Sequence, residues 1–339
     1  MLSLFDFIFG ANLKSMKGKD LRIVFMGTPD FAVASLNQLV VNGYNVVGVI
    51  TVPDKPAGRG QKISQSAVKQ YAVQNGLKVL QPEKLKDPDF LSELKSLEAD
   101  LQVVVAFRML PVEVWDMPRL GTFNLHASLL PKYRGAAPLN WAIINGDVES
   151  GVTTFKLLHE IDTGNIIFQE KVSIGEDDNV EVLHDKLMNV GSELVLKTVD
   201  ALAGGNVEMI PQDELIRRGN LPCHAPKIFK DDCLIDWIKD AATIKNFVRG
   251  LSPYPSAWTK FYGVNSESES SIKIFEVKVE ISDAVIEPGK VYSDGKTYFK
   301  IGCNNGFIHV LDLQLAGKKR MLVADFLRGF SDVLKYRCL

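Results

Sequence analysis

The sequence predicts an α/β domain with a mostly parallel sheet, followed by a small β-barrel, and three patterns carry that prediction. Leu21 to Met26 and Val46 to Ile50 are short apolar runs with a helical pattern between them, the opening of a parallel α/β sheet. Val180, Leu183, Leu187, Val190, Leu194 and Leu202 recur at helical spacing and close that domain near Gly204-Gly205. Beyond a stretch holding Pro211, Pro222 and Pro226, the pattern changes to short alternating strands separated by turn residues. The expected division is residues 1–20 as a disordered extension, 21–205 as the α/β domain, 206–227 as a linker and 228–339 as the barrel domain.

In chain order, the first apolar run stops at Gly27, and Thr28 is placed as helix N-cap with Pro29 at the first helical position. Phe31, Leu36, Leu39 and Val40 mark the buried side of a helix that ends near Gly43. After the second strand, Pro53 to Lys62 holds Pro53, Pro56, Gly58 and Gly60 with the cations Lys55, Arg59 and Lys62. It reads either as a solvated connection or as a phosphate-contacting finger, since loops after parallel strands border the ligand crevice. Helices are expected over 69–75 and 90–97, a short strand at 78–80 and a central buried strand over 101–107. Arg108 to Pro111 leads into a helical turn, Pro138 to Asn145 forms a helix stopped by Gly146, and strands over 152–157 and 166–172 flank a turn at His159 to Gly164. A helix near 241–250 precedes strands near 272–277, 290–292, 297–301 and 307–310.

Composition bounds the function. The chain has 339 residues, 46% apolar and 24% charged, an ordinary globular balance with length for roughly two domains. A formal charge of −2 gives no global pull toward nucleic acid, so RNA binding would need local basic patches. Cys223, Cys233, Cys303 and Cys338 show no C-x-x-C spacing and the five histidines form no cluster, which argues against zinc and disulfides and for reduced thiols in the cytoplasm. Met1 to Gly10 lacks a basic n-region and carries Asp6 inside its apolar run, so it is not expected to be a signal peptide, and no membrane span is expected. Gly27-Thr28-Pro29 is not G-x-G-x-x-G and no P-loop occurs, which disfavours a nucleotide site.

The chemistry concentrates where an apolar run ends at Phe123-Asn124-Leu125-His126-Ala127-Ser128. On a strand, the period of two places Asn124 and His126 on one face. Asn124 either caps a loop or donates a hydrogen bond to an oxyanion, an effect worth about 2.7–4 kcal/mol. His126 is either a structural histidine or a proton carrier, the latter contributing roughly 10²–10⁴-fold. Asp162, in Asp-Thr-Gly, is either a turn former or the carboxylate that orients His126. Ser128 lacks the G-x-S-x-G context of a hydrolase nucleophile, so metal-free transfer of an acyl or formyl carbon to a nucleophile of the substrate fits best.

These residues resemble a known family. Gly27-Thr28-Pro29-Asp30-Phe31-Ala32, Pro53 to Gly60, Asn124-Leu125-His126 and Ser128 to Pro138 are similar to the methionyl-tRNA formyltransferases, a branch of the folate-dependent formyltransferases. Asp162-Thr163-Gly164, Ile235-Asp236-Trp237 and Leu315 to Lys319 extend the likeness from about Leu21 almost to the C-terminus. The resemblance implies a Rossmann-like formyltransferase domain and an OB-like C-terminal barrel. It implies 10-formyltetrahydrofolate as formyl donor, no metal, and initiator methionyl-tRNA as acceptor, handled by a cytoplasmic monomer. By the same analogy Asn124, His126 and Asp162 are catalytic. Ser128, Leu129, Leu130 and Pro131 would line the folate site, assisted by Phe107, Arg108, Met109, Leu110, Glu160 and Ile161. Lys55, Arg59, Lys62, Lys227 and Lys230 would contact the tRNA.

The chain departs from the family pattern in three places. Phe107-Arg108 replaces a frequent Tyr-Gly at the pocket rim, Lys55 replaces a frequent Arg, and the first twenty residues match nothing in the family. Two other functions are compatible with parts of the pattern. One is a formyltransferase acting on a small amine, such as a nucleotide sugar or purine precursor. The other is a non-catalytic tRNA-binding protein.

Overall fold

The computed structural model describes residues 17–57, 62–160, 162–205, 207–264, 269–330 and 332–339. The chain forms two compact units. The first is built from described residues up to Pro131, Val152–Glu170 and Leu187–Leu221, and the second from Lys132–Gly151, Lys171–Lys186 and Pro222–Leu339.

The opening elements are β1 (Ile23–Gly27), α1 (Asp30–Val41), β2 (Val46–Ile50), a hairpin of β3 (Lys55–Ala57) and β4 (Lys62–Ser64), α2 (Ala67–Gln74), β5 (Val79–Leu80), α3 (Pro88–Ser96) and β6 (Leu101–Val105). There follow α4 (Val112–Trp115), β7 (Thr122–His126), β8 (Arg134–Gly135), α5 (Pro138–Ile144), β9 (Glu149–Lys156), β10 (Ile166–Ser173) and α6 (Val180–Gly204). The large sheet has the order β10-β9-β7-β6-β1-β2-β5. β1 pairs in parallel with β2 and β6, β2 with β5 and β6 with β7, while β9 runs antiparallel to β7. A mostly parallel sheet was expected, and this is one. Every residue of β1 and β6 is buried, as strands covered on both faces must be.

Order reverses beside β1, where α/β folds place their ligands at the carboxyl ends of the strands. β7 ends at that edge, and its register against β6 sets Val104 opposite Asn124 and Val105 opposite Leu125.

Local departures have simple causes. Pro29 is extended (φ −83°, ψ 176°), so it is the N-cap in place of Thr28, and α1 starts at Asp30. Phe31, Leu36 and Leu39 are buried with Ala32 and Ser35, whereas Val40 is only half-buried. Gly18–Asp20, expected to lie in a disordered extension, forms a 3-10 turn with Gly18 buried; residues 1–16 lie outside the described set.

The stretch 206–227, expected as a linker, carries α7 (Gln212–Arg217) and β11 (His224–Ala225), the latter paired in parallel with β8. α7 turns Gln212 and Leu215 inward, and a six-residue helix is too short for its periodicity to register in the sequence.

The second unit continues with α8 (Ala241–Leu251), β12 (Ala257–Gly263), β13 (Glu269–Ile281), β14 (Val291–Ser293), β15 (Phe299–Cys303), β16 (Gly306–Leu315), β17 (Met321–Leu322), α9 (Val323–Gly329) and β18 (Tyr336–Cys338). Its antiparallel sheet runs β14-β15-β16-β13-β12-β18. The two ends approach through a backbone β-bridge between Lys290 and Arg337 and a Cys338 N–H donating to Gly289 O at 2.9 Å, which nearly closes the predicted barrel. β12 alternates buried residues with half-buried or exposed ones, and Phe261, Ile272, Ile274, Phe299, Ile301, Ile308 and Leu313 fill the interior. Among the described residues no helix is long and apolar enough to cross a membrane.

Candidate active site

The site grows from the end of β7. Phe123 and Leu125 point into the core, which leaves Asn124 and His126 on the other face, as the period of two predicted. Antiparallel pairing with β9 sets Asn124 opposite Phe155 and His126 opposite Thr153. Phe155 meets the His126 ring edge-on, with centroids 6.5 Å apart and planes at 79°. The imidazole is buried, only 7% exposed.

The turn between β9 and β10 brings in the third residue. Asp162 Oδ2 lies 3.9 Å from His126 Nδ1, and both side chains are largely shielded from water. The approach of the carboxylate to Nδ1 orients the ring and leaves Nε2 as the nitrogen turned to other work. Asn124 Oδ1 is buried and has no hydrogen-bond partner among the described residues. An unpartnered buried amide atom costs about 1–3 kcal/mol, a penalty a polar ligand would relieve. The Asn–His–Asp set foreseen in the sequence is therefore brought together at one strand end.

The loop after His126 is held rigidly from below. Thr153 is fully buried and its Oγ1 donates to Ser128 O at 2.6 Å while accepting from Leu130 N–H at 3.1 Å. Gln169 Nε2 donates to both Leu130 O and Thr153 Oγ1 at 2.9 Å. Ser128, Leu130 and Pro131 are buried, and Leu129 is the partly exposed member of the expected folate-lining stretch.

The opposite side of the turn is held by Gln212, whose Nε2 donates to Asp162 O at 2.8 Å and Gly164 O at 2.9 Å. Gly164 packs so closely on β9 that a Cβ there would stand 1.7 Å from Lys156 O, so only glycine fits. Thr153, Gln169 and Gln212 were not foreseen, because a polar residue inside a strand or short helix carries no sequence signal of its partner.

The remaining expected residues fall as follows. Phe107 and Leu110 leave β6 at the same sheet edge and pack on the core formed by Val24, Met26, Leu80, Phe90 and their neighbours. Arg108 donates to the carbonyls of Pro82 and Glu83 and lies over the Phe107 ring, tying the segment after β6 to the one after β5. Burial lowers its pKa. Met109 is exposed, and Glu160 is an exposed turn residue whose carbonyl accepts from Thr163. Ile161 lies outside the described residues.

Of the expected RNA-contacting cations, Lys55 is exposed on β3, beside Asp54 in sequence, whose carboxylate takes hydrogen bonds from Lys69 (2.6 Å) and Gln81 (2.8 Å). Those bonds hold Asp54 below the usual carboxylate range. Arg59 and the side chain of Lys62 lie outside the described residues. Lys227 and Lys230 are exposed, the first 5.2 Å over Phe229 and the second 5.7 Å over Trp258.

A Rossmann-like domain followed by a small antiparallel barrel is the architecture of a formyl transferase. Residues 21–199 match the formyl transferase family model and residues 227–331 match the formyl transferase C-terminal domain model, so the chain belongs to the formyl transferase family. Within it, the chain is 58% identical over 316 residues to the methionyl-tRNA formyltransferase of Bacteroides fragilis, covering 93% of this chain and 97% of that protein. Methionyl-tRNA formyltransferase of Phocaeicola vulgatus is 61% identical over the same span with the same coverage.

Solved structures share the fold. HypX from Aquifex aeolicus in complex with tetrahydrofolic acid superposes with a TM-score of 0.61 at 19% identity, covering 92% of this chain and 48% of that one. An N-formyltransferase from Helicobacter canadensis, in complex with folinic acid and dTDP-3-aminofucose, gives a TM-score of 0.61 at 24% identity, with 86% and 98% covered.

Proposed function

We propose that this chain transfers the formyl group of 10-formyltetrahydrofolate to the α-amino group of methionine on initiator methionyl-tRNA, as a cytoplasmic monomer. Identity of 58% across 97% of a relative named for that activity supports the reaction. The observation that carries the chemistry is the meeting of Asn124, His126 and Asp162 at the end of β7.

The neutral amine attacks the formyl carbon, forming a C–N bond and an oxyanion. Asn124 donates to that oxygen, where charge develops only as the reaction proceeds. His126 adds to the stabilisation of that oxygen, while Asp162 holds the imidazole and helps pass the amine proton toward N10. The C–N10 bond then breaks, and N10 departs carrying that proton. The buried, unpartnered Asn124 Oδ1 can only accept, so it is left to take an N–H of the substrate while Nδ2 donates to the oxyanion.

Ser128 to Pro131 form one wall of the folate site, with Phe107 to Leu110 and the turn at Glu160 to Asp162 beside it. Thr153 and Gln169 keep that wall from yielding when the ligand docks. Lys55, Arg59, Lys62, Lys227 and Lys230 contact RNA phosphates, which reconciles tRNA binding with a net charge of −2. Residues 21–205 constitute the catalytic domain and 228–339 the RNA-binding barrel, joined through 206–227.

The test is formyl transfer from 10-formyltetrahydrofolate to charged initiator tRNA, run beside nucleotide-linked amino sugars and other small amines. Preference for the tRNA is expected. Preference for a small amine would move the protein to a different branch of the family.

A further inference from the structure

Asp162 carries its carboxylate on a backbone that L-residues seldom adopt, with φ at 54°. A non-glycine residue in the left-handed region persists only where surrounding contacts hold it. Among the described residues, one side-chain contact to this backbone comes from far along the chain. Gln212, at the start of α7 and 2% exposed, spends its amide N–H groups on the carbonyls of Asp162 and Gly164. It thereby brackets the peptide units on either side of Thr163.

α7 is itself anchored beneath the site. Leu215 packs on a cluster of Leu130, Phe155 and Ile166. Phe155 is the ring against His126, and Leu130 belongs to the loop after it. Ile166 and Ile210 exchange backbone hydrogen bonds at 2.8 and 2.9 Å, fixing the approach to α7 from the β10 side. One short helix thus grips both the turn bearing Asp162 and the apolar floor below His126.

From this geometry we infer that Gln212 is a positioning residue of the formyl transfer, holding the Asp162 turn so that its carboxylate faces His126 Nδ1. The inference rests on the catalytic role proposed for Asp162. Leu at this position keeps the volume but removes both donors, which frees the turn to relax. A displacement of about 1 Å in a catalytic group is enough to cost on the order of 100-fold.

The experiment is a double-mutant cycle on the full chain with 10-formyltetrahydrofolate and charged initiator tRNA, measuring kcat and both KM values for wild type, Gln212→Leu, Asp162→Ala and the double variant. Gln212→Leu is expected to lower kcat by about 10- to 100-fold with both KM values within about threefold. In the Asp162→Ala background the same substitution should cost less than about twofold, since the group it positions is gone. Equal losses in the two backgrounds, or undiminished kcat in folded Gln212→Leu despite a lowered Tm, would overturn the inference. Wild-type turnover in Asp162→Ala alone would instead remove Asp162 from the mechanism, a separate failure. If Gln212→Leu does not fold, Gln212→Glu replaces it. Its carboxylate cannot donate while ionised but donates one bond when protonated. Its kcat relative to wild type should therefore climb as pH falls, and a flat ratio would contradict the assignment.

Discussion

His126 and Asp162 meet through Nδ1 and Oδ2 at 3.9 Å, although α5 and the whole of β9 separate them along the chain. The distance is longer than a hydrogen bond and short enough for the carboxylate to orient the imidazole. Binding of substrates can shorten it, as catalytic contacts commonly tighten in the reactive complex.

Asp162→Asn keeps the shape of the side chain and removes its charge. Turnover is expected to fall by about 10²–10⁴-fold, the scale of a general acid–base contribution, with tRNA affinity unchanged. Steady-state kinetics beside a filter-binding assay would check this, and turnover within about threefold of wild type would exclude the charge from the mechanism.

Thr153 tests the support under the folate wall. Its hydroxyl donates to Ser128 O and accepts from Leu130 N–H and Gln169 Nε2, so Thr153→Val strands polar groups in the interior. A drop of about 2–3 kcal/mol in stability is expected, with a raised KM for 10-formyltetrahydrofolate. Urea unfolding and folate titration measure the two effects. A stable variant with unchanged KM would mean that the wall holds itself.

The basic residues make a salt-dependence prediction. Removing Lys227 or Lys230 should weaken tRNA binding and reduce the slope of log affinity against log salt by about 0.7–0.9 for each phosphate the lysine had neutralised. Binding isotherms across a range of KCl concentrations give the slope directly. An unchanged slope would assign these lysines to the cation–π contacts with Phe229 and Trp258 alone.

The acid limb of stability should depend on Asp178. Burial alone would raise its pKa, but hydrogen bonds from Lys186 and from Gly175 N–H, with the charges of Lys186 and Arg249, outweigh burial and hold it below 3.8. A lowered folded-state pKa means that the unfolded chain binds the proton more readily. The stabilisation is therefore complete above the ordinary value and is lost as pH falls through the folded value. Asp178→Asn should cost about 1 kcal/mol near pH 7, with the deficit shrinking below about pH 4. Urea midpoints at several pH values would show it, and a deficit independent of pH would refute the ionic origin.

How much of this was legible beforehand varies with the range of the interaction. The buried runs of β1 and β2, α1 and α6 were readable because an apolar period is a local property. Asn124 and His126 were readable for the same reason, two positions apart at a strand end. The approach of Asp162 to His126 was not, since it depends on how β9 lies against β7. Thr153, Gln169 and Gln212 were invisible because, apart from the bond between Gln169 and Thr153, the partners that matter here are backbone carbonyls and N–H groups, which every residue carries. Barrel closure through Gly289 and Cys338 depends on two strands that show no complementarity in sequence. The short α7, placed in an expected linker, left too few residues for a period.

Asn124 offers the most direct test of the central claim that formyl transfer runs through an oxyanion at the end of β7. Asn124→Ala, followed in single-turnover formylation of charged initiator tRNA, isolates the chemical step from binding and product release. A fall of about 10²–10³-fold in that rate is expected, with binding of both substrates intact. A single-turnover rate equal to wild type would contradict it.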